Sequence, residues 1–252
     1  MMRLSFSVLL ICLTAPTWNL HAQETPPSPE ALLQRMEETY RAVRSYSDNT
    51  SARYRNPDRT DGAKVECKIW FVRPTLFRVD AETRRSETVP PKREVMWSDG
   101  RTARTWSTTS PVVMRKKIQL AGSKMFGTYA YHVPTLLEGS YGGPQRLHQL
   151  ASPVFDGTEV IDGVDCYRIK GSWQGDPYEV WLGKVDSLVH KLTANYKGYE
   201  MEELHRDIRL DQPIAPSVFF FAPENETVVP PPPGKPGSSP KPNRSSATEK
   251  AR

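Results

Sequence analysis

"CKIWFVRPTLFRVD", residues 67–80, is the stretch on which the fold turns. It is apolar on both parities through Ile69, Trp70, Phe71 and Val72, breaks at Arg73-Pro74, and resumes with Leu76, Phe77 and Val79. Side chains of a strand alternate between its two faces, so a sheet wetted on one side reads as apolar and polar residues in turn. A strand apolar on both sides needs something packed against each. The same alternation sets Phe77 and Val79 on one face together. Arg73, beside Pro74, reads at this level as the end of a strand at the surface.

Working outward, most of the chain reads as strands. Four Asp-Gly pairs occur, at 61–62, 99–100, 156–157 and 162–163, and Asp-Gly suits a tight turn because both residues tolerate positive φ. "EVMWSDGRTARTW" and "TEVIDGVDCYRI" therefore predict hairpins, with further strands at 49–56, 64–72, 75–81, 177–182, 188–196 and 199–210. Consecutive strands joined by short turns give an antiparallel meander forming one large curved sheet. Ahead of it, "SPEALLQRMEETYRAVRSY" predicts a helix, with Ser28 as N-cap, Pro29 in the first turn, and Leu32, Leu33, Met36, Tyr40 and Val43 on one stripe. Between about 122 and 150 the strand pattern fails. "SKMFGTYAYHVPTLLEG" and "GGPQRLHQLA" read as short broken helices, able with the first helix to cover the concave face of the sheet.

The ends of the chain carry different chemistry. Arg3, the apolar run from Leu4 to Leu13 and Ala22 at the cleavage position predict a signal peptide over 1–22, the run being about half the ~20 residues of a membrane span. A lipid acceptor at Cys12 is the alternative, and bulky Ile11 before it argues against that. Residues 228–252, "VVPPPPGKPGSSPKPNRSSATEKAR", lack the apolar content to offset ordering entropy and predict a disordered tail with a polyproline start. The net charge of +5 is concentrated in these two ends. Residues 23–227 hold 28 basic and 28 acidic side chains, so nucleic acid is not an expected partner. That leaves about 200 residues, enough for one domain with a sizeable core. Of its two cysteines, Cys67 alternates with Val65, Ile69 and Phe71, whereas Cys166 shares a face with Arg168 and Lys170, which favours two free thiols over a bridge.

"IWFVRPTLFRV", then "MWSDGRTARTW" about two dozen residues later, and "APSVFFFAP" near the end of the domain resemble the periplasmic lipoprotein carrier LolA and its superfamily, including LolB-like receptors. The resemblance covers most of residues 28–227 in order. It implies an α+β fold: an incomplete antiparallel β-barrel of about ten or eleven strands with a helical lid over an apolar cavity. One face of the opening strand would then meet lid and cavity, and the last motif would form a Phe-rich terminal strand. In the family, the arginine of the Arg-Pro pair hydrogen-bonds to lid backbone and keeps the cavity closed; by position that is Arg73, with Phe77 the aromatic after it. The planar group of five donors on Arg73 suits it to tying down carbonyl oxygens of such a covering element. Arg73 and Phe77 are the ligand-binding residues this implies, and Trp70 or its neighbours, with Val79 on the face of Phe77, are expected to line the cavity beside them. The insertion at 81–95 and the proline-rich tail depart from the carrier's pattern.

Catalytic and metal-binding patterns do not emerge. The histidines at 21, 132, 148, 190 and 205 are scattered, with no His-Glu-x-x-His, Cys-x-x-Cys, Gly-x-Ser-x-Gly or phosphate-binding loop. Glu37-Glu38 and Glu202-Glu203 are neighbours whose side chains point apart, and they read as solvated surface. The expectation is a monomeric, non-enzymatic periplasmic protein that needs no cofactor or metal. It binds, and in the carrier reading transfers, a lipid or lipid-modified protein between membrane-bound donor and acceptor. The competing expectation is an exported sensor domain binding a lipid signal or partner protein.

Overall fold

The computed structural model describes residues 27–58, 60–116, 132–139, 147–196 and 198–225. The signal-peptide and tail expectations, and much of the helical expectation for 122–150, lie outside the described residues. Helix α1, Pro29–Ala42, starts where the sequence places it: the Ser28 hydroxyl accepts from the Ala31 N–H at 3.2 Å, and Pro29 occupies the first turn, where a missing N–H costs nothing. Its stripe, Leu32, Leu33, Met36 and Tyr40, is buried. Each such side chain contributes roughly 1.5–3 kcal/mol by leaving water. A second short helix, α2, covers His132–Leu137, and all six of its residues are buried.

Eleven strands form one antiparallel sheet: β1 Ser45–Arg55, β2 Asp61–Val72, β3 Leu76–Arg84, β4 Lys92–Asp99, β5 Ala103–Ser107, β6 Ser110–Lys116, β7 Ala151–Ile161, β8 Val164–Trp173, β9 Asp176–Gly183, β10 Val189–Tyr196 and β11 Tyr199–Leu210. Their order is β6-β5-β4-β3-β2-β1-β11-β10-β9-β8-β7. Two meanders are thus joined where the first strand pairs with the last. Among the described residues β6 and β7 remain edges, so the barrel is incomplete. The open eleven-stranded sheet with helices against one face is the incomplete barrel under a helical lid that was expected.

Two of the four Asp-Gly pairs are turns. Asp162 and Gly163 have φ of 48° and 86° and connect β7 to β8, while Gly100, at φ 91°, lies between β4 and β5. The other two, where no hairpin was predicted, lie within strands. Asp61 and Gly62 begin β2, and Gly157 (φ 95°) sits inside β7 at a shift of register against β8. Positive φ serves a bulge as well as a turn, and the dipeptide alone does not distinguish them.

The inner face of the double-faced strand is packed, while on its outer face Trp70 and Val72 are half-buried and Glu66 and Lys68 exposed. Val65, Cys67, Ile69 and Phe71 of β2 enter the main core with Phe77 and Val79 of β3 and the stripe of α1. On the outer face the chain after β11 crosses β3 and β4 as a 3-10 helix, Pro216–Phe219, followed by Phe221. Phe221 packs on Trp97 and Trp106, with ring centroids 5.0 and 5.3 Å away. This segment was expected as a terminal strand. It closes the outer apolar face by side-chain packing instead, with Pro213, Pro216 and Pro223 lacking the N–H donors a strand would use. Cys67 lies on the inner face and Cys166 with Trp181 in a separate outer cluster, and both thiols are free.

Candidate functional site

Arg73 follows β2 and reaches the ends of both helices. Its Nε donates to the Val43 carbonyl at 2.7 Å, and Nη2 donates to the carbonyls of Tyr40 at 3.0 Å and Leu137 at 2.9 Å. Tyr40 and Val43 belong to the C-terminal turn of α1 and its cap, and Leu137 is the last residue of α2. Helix C-termini expose unsatisfied carbonyls and a partial negative charge, so a cation with several donors is suited to them. Glu138 Oε2 lies 3.9 Å from Nη1, and the guanidinium sits 5.3 Å from the centre of the Phe71 ring. The Arg73 backbone N–H also donates to the Arg44 carbonyl at 2.9 Å. A single side chain therefore ties α1, α2 and the end of β2 together. Beside it is a space of about 300 Å³ lined by Glu37, Arg41, Leu137 and His148 among others.

Phe77 and Val79 face inward, 3% and 4% exposed, under the helices. Trp70 does not join them. It stands opposite Arg78 on the outer face, whose guanidinium is 5.7 Å from its ring, while its neighbours Ile69 and Phe71 take the inward positions. Alternation forbids Trp70 from sharing a face with Phe71. The apolar run hid this parity because Ile69 to Val72 are apolar at both parities. The helix-covered interior is filled by the protein's own side chains, Leu33, Met36, Phe71 and Leu137 being at most 2% exposed.

Beneath α2 lies a buried polar chain that sequence reasoning missed. Asp48 Oδ2 accepts from the hydroxyls of Tyr46 at 2.9 Å and Thr50 at 3.0 Å, and from His205 Nδ1 at 2.7 Å. His205 Nε2 is 3.0 Å from Glu203 Oε1, though off the hydrogen-bond direction. Glu203 Oε2 accepts from Nδ1 of His132, on α2, at 2.9 Å. Burial opposes charge on His205, but the hydrogen bond to Asp48, the close contact with Glu203 and the charges of both carboxylates outweigh it, pushing the ring up to about 10. Burial likewise works against the Glu203 carboxylate, and the facing His132 ring with its hydrogen bond, together with the nearby His205 imidazolium, holds it well below its usual range. An imidazolium with a carboxylate at each nitrogen has no lone pair to ligate a metal or deprotonate Thr50. Among the described residues no group of three or more His, Cys, Asp or Glu side chains is arranged to hold a metal ion.

Glu203 also corrects the surface reading of the Glu202-Glu203 pair. Glu202 points outward to Lys191 at 3.1 Å, and Glu203 points inward with no exposure. The signal was parity: Tyr46, Asp48, Thr50 and Ala52 share one face of β1, and Met201, Glu203 and His205 one face of β11. Ionisable residues at the apolar parity of a strand announce a buried network.

No protein-family model matches the chain, and no curated protein matches it in sequence. Among solved structures, LprF from Mycobacterium bovis is similar, with a TM-score of 0.50 at 11% identity over 75% of this chain and 97% of that one. The lipoprotein LppX from Mycobacterium tuberculosis matches with a TM-score of 0.45 at 13% identity over 75% and 99%. A LolA superfamily protein from Nitrosomonas europaea matches with a TM-score of 0.37 at 12% identity over 78% and 99%.

Proposed function

We propose, from a LolA-like fold whose helices are tied to the sheet by one arginine, that this protein is an exported, non-enzymatic binder of a lipid or a lipid-modified protein. Residues 1–22 direct export and are removed, 23–227 form the binding domain, and the ligand crosses the aqueous periplasm bound between membrane-associated donor and acceptor. No helix among the described residues is long and apolar enough to cross a membrane. The acyl chain enters beneath α1 and α2 when they lift, against inward residues such as Phe77 and Val79. Taking it out of water is worth about 0.8 kcal/mol per methylene, so binding needs no cofactor.

The observation that carries this reading is the Arg73 contact with the backbone of both helices. A cover that must open reversibly is better held by a few hydrogen bonds at one point than by a continuous packed seam. Arg73→Leu keeps comparable bulk and deletes every donor. If the latch favours the closed state by about 2 to 3 kcal/mol, the variant should change retention of a bound hydrophobic fluorophore or lipid by roughly thirty- to over one-hundredfold. Release to acceptor vesicles and thermal midpoint are measured on the same protein. Unchanged release, or a large stability loss without a specific release defect, would make Arg73 structural and remove the main support for a gated binding domain.

A further inference from the structure

The His132–Glu203 contact joins α2 to the sheet from inside, and it must break whenever α2 lifts. What it leaves behind is specific. Asp48 and Glu203 are carboxylates flanking one imidazolium, His205, so the three together keep one negative charge. Asp48 is supplied with donors by Tyr46, Thr50 and His205, whereas Glu203 depends on His132 for its well-aligned bond. The cluster is also short of donors. Asp48 Oδ1 and Glu203 Oε1 are buried without a hydrogen-bond partner among the described residues. On either side of Glu203 the facing strand residues are Ala52 and Leu192, both buried, which form an apolar bed around a single carboxylate.

We infer that Glu203 is a polar subsite for the ligand, and that the group replacing the His132 ring there is a protonated amine on an acyl or alkyl chain. The inference rests on the reading that an amphiphile enters under α2. A buried carboxylate stripped of its donor carries a large desolvation penalty, so a ligand that displaces α2 must bring a donor of its own. An ammonium group does so and neutralises the residual charge. A hydroxyl supplies a donor without the charge, and an anionic headgroup meets like charge in a site water cannot screen. His132 thus holds the subsite in the closed protein in place of the ligand.

The test compares dodecylamine, dodecanol and dodecanoate, at submicellar concentration and neutral pH, as competitors for a hydrophobic fluorophore bound to the full chain. Dodecylamine is expected to bind at least about tenfold more tightly than dodecanoate, with dodecanol between them. In Glu203→Gln the amine and the carboxylate should come within about threefold of each other. In His132→Ala the amine should gain relative to dodecanol, because its intramolecular competitor is gone. The wild-type preference decides the matter even if Glu203→Gln does not fold. Equal or tighter binding of dodecanoate by the wild-type protein overturns the inference and leaves the lipid-binding reading standing. So does a preference that survives in a folded Glu203→Gln. Failure of the fluorophore and all three competitors to bind defeats both.

Discussion

Arg73 and His205 are both cations inside the domain, and they hold it in different ways. Arg73 is 30% exposed along its side chain and bonds to neutral carbonyls, so its contacts can be made and broken in water. His205 is fully buried between two carboxylates, and its charge is part of the folded state. Its folded ring titrates at about 10 against about 6.5 when free, so its contribution is complete below pH ~6.5 and is lost as pH rises through about 10. Unfolding free energy should therefore fall by about 1.4 kcal/mol per pH unit between about pH 7 and 9, since the folded chain alone retains that proton. Denaturant titrations across that range measure the slope. His205→Gln should abolish it and cost about 3 to 5 kcal/mol at neutral pH by removing the cation that sits between two buried carboxylates. A flat wild-type profile would show that the ring is not protonated in the folded protein.

At the level of elements, the sheet is finished by pieces that are not strands. Inside, α1 lays one stripe on the core, and the Tyr40 hydroxyl accepts from the Val189 N–H at 3.2 Å, tying the helix to β10 as well as to Arg73. Outside, the segment after β11 plays the matching part: Arg78 donates to the Val218 carbonyl at 3.2 Å, Phe219 is 2% exposed, and Phe221 fills the box of Trp97, Trp106, Arg78 and Arg93. Phe219→Ala should destabilise the domain by about 3 to 5 kcal/mol, the usual effect of emptying a buried aromatic site. The emission of Trp97 and Trp106 should shift to the red as the segment loosens. A loss below about 1 kcal/mol would mean that the outer face is complete without it.

For the whole molecule, the boundary of the domain is the remaining test. Residues 228–252 bring no apolar stripe to bury, so truncation after Thr227 should leave the thermal midpoint unchanged, and a drop of several degrees would place part of the tail on the domain. Much of the fold was legible in the chain itself: α1 from its cap and stripe, most strands from period-two alternation, two hairpins from Asp-Gly, and the shared face of Phe77 and Val79. These are local signals, set by backbone sterics and by side-chain periodicity within one element. The meeting of β1 with β11 is different. It brings Asp48 within 2.7 Å of His205 across 157 residues, and no local pattern encodes that pairing. The same holds for the face taken by Trp70, undecidable while both sides of β2 are apolar, and for the Phe-rich segment that packs across the sheet instead of joining it. Sequence alone determined where most elements run and which residues share a face within one element. The tertiary structure alone decided which inward residues meet, because charge pairing, desolvation and cross-sheet packing act between atoms that the chain keeps far apart until it folds.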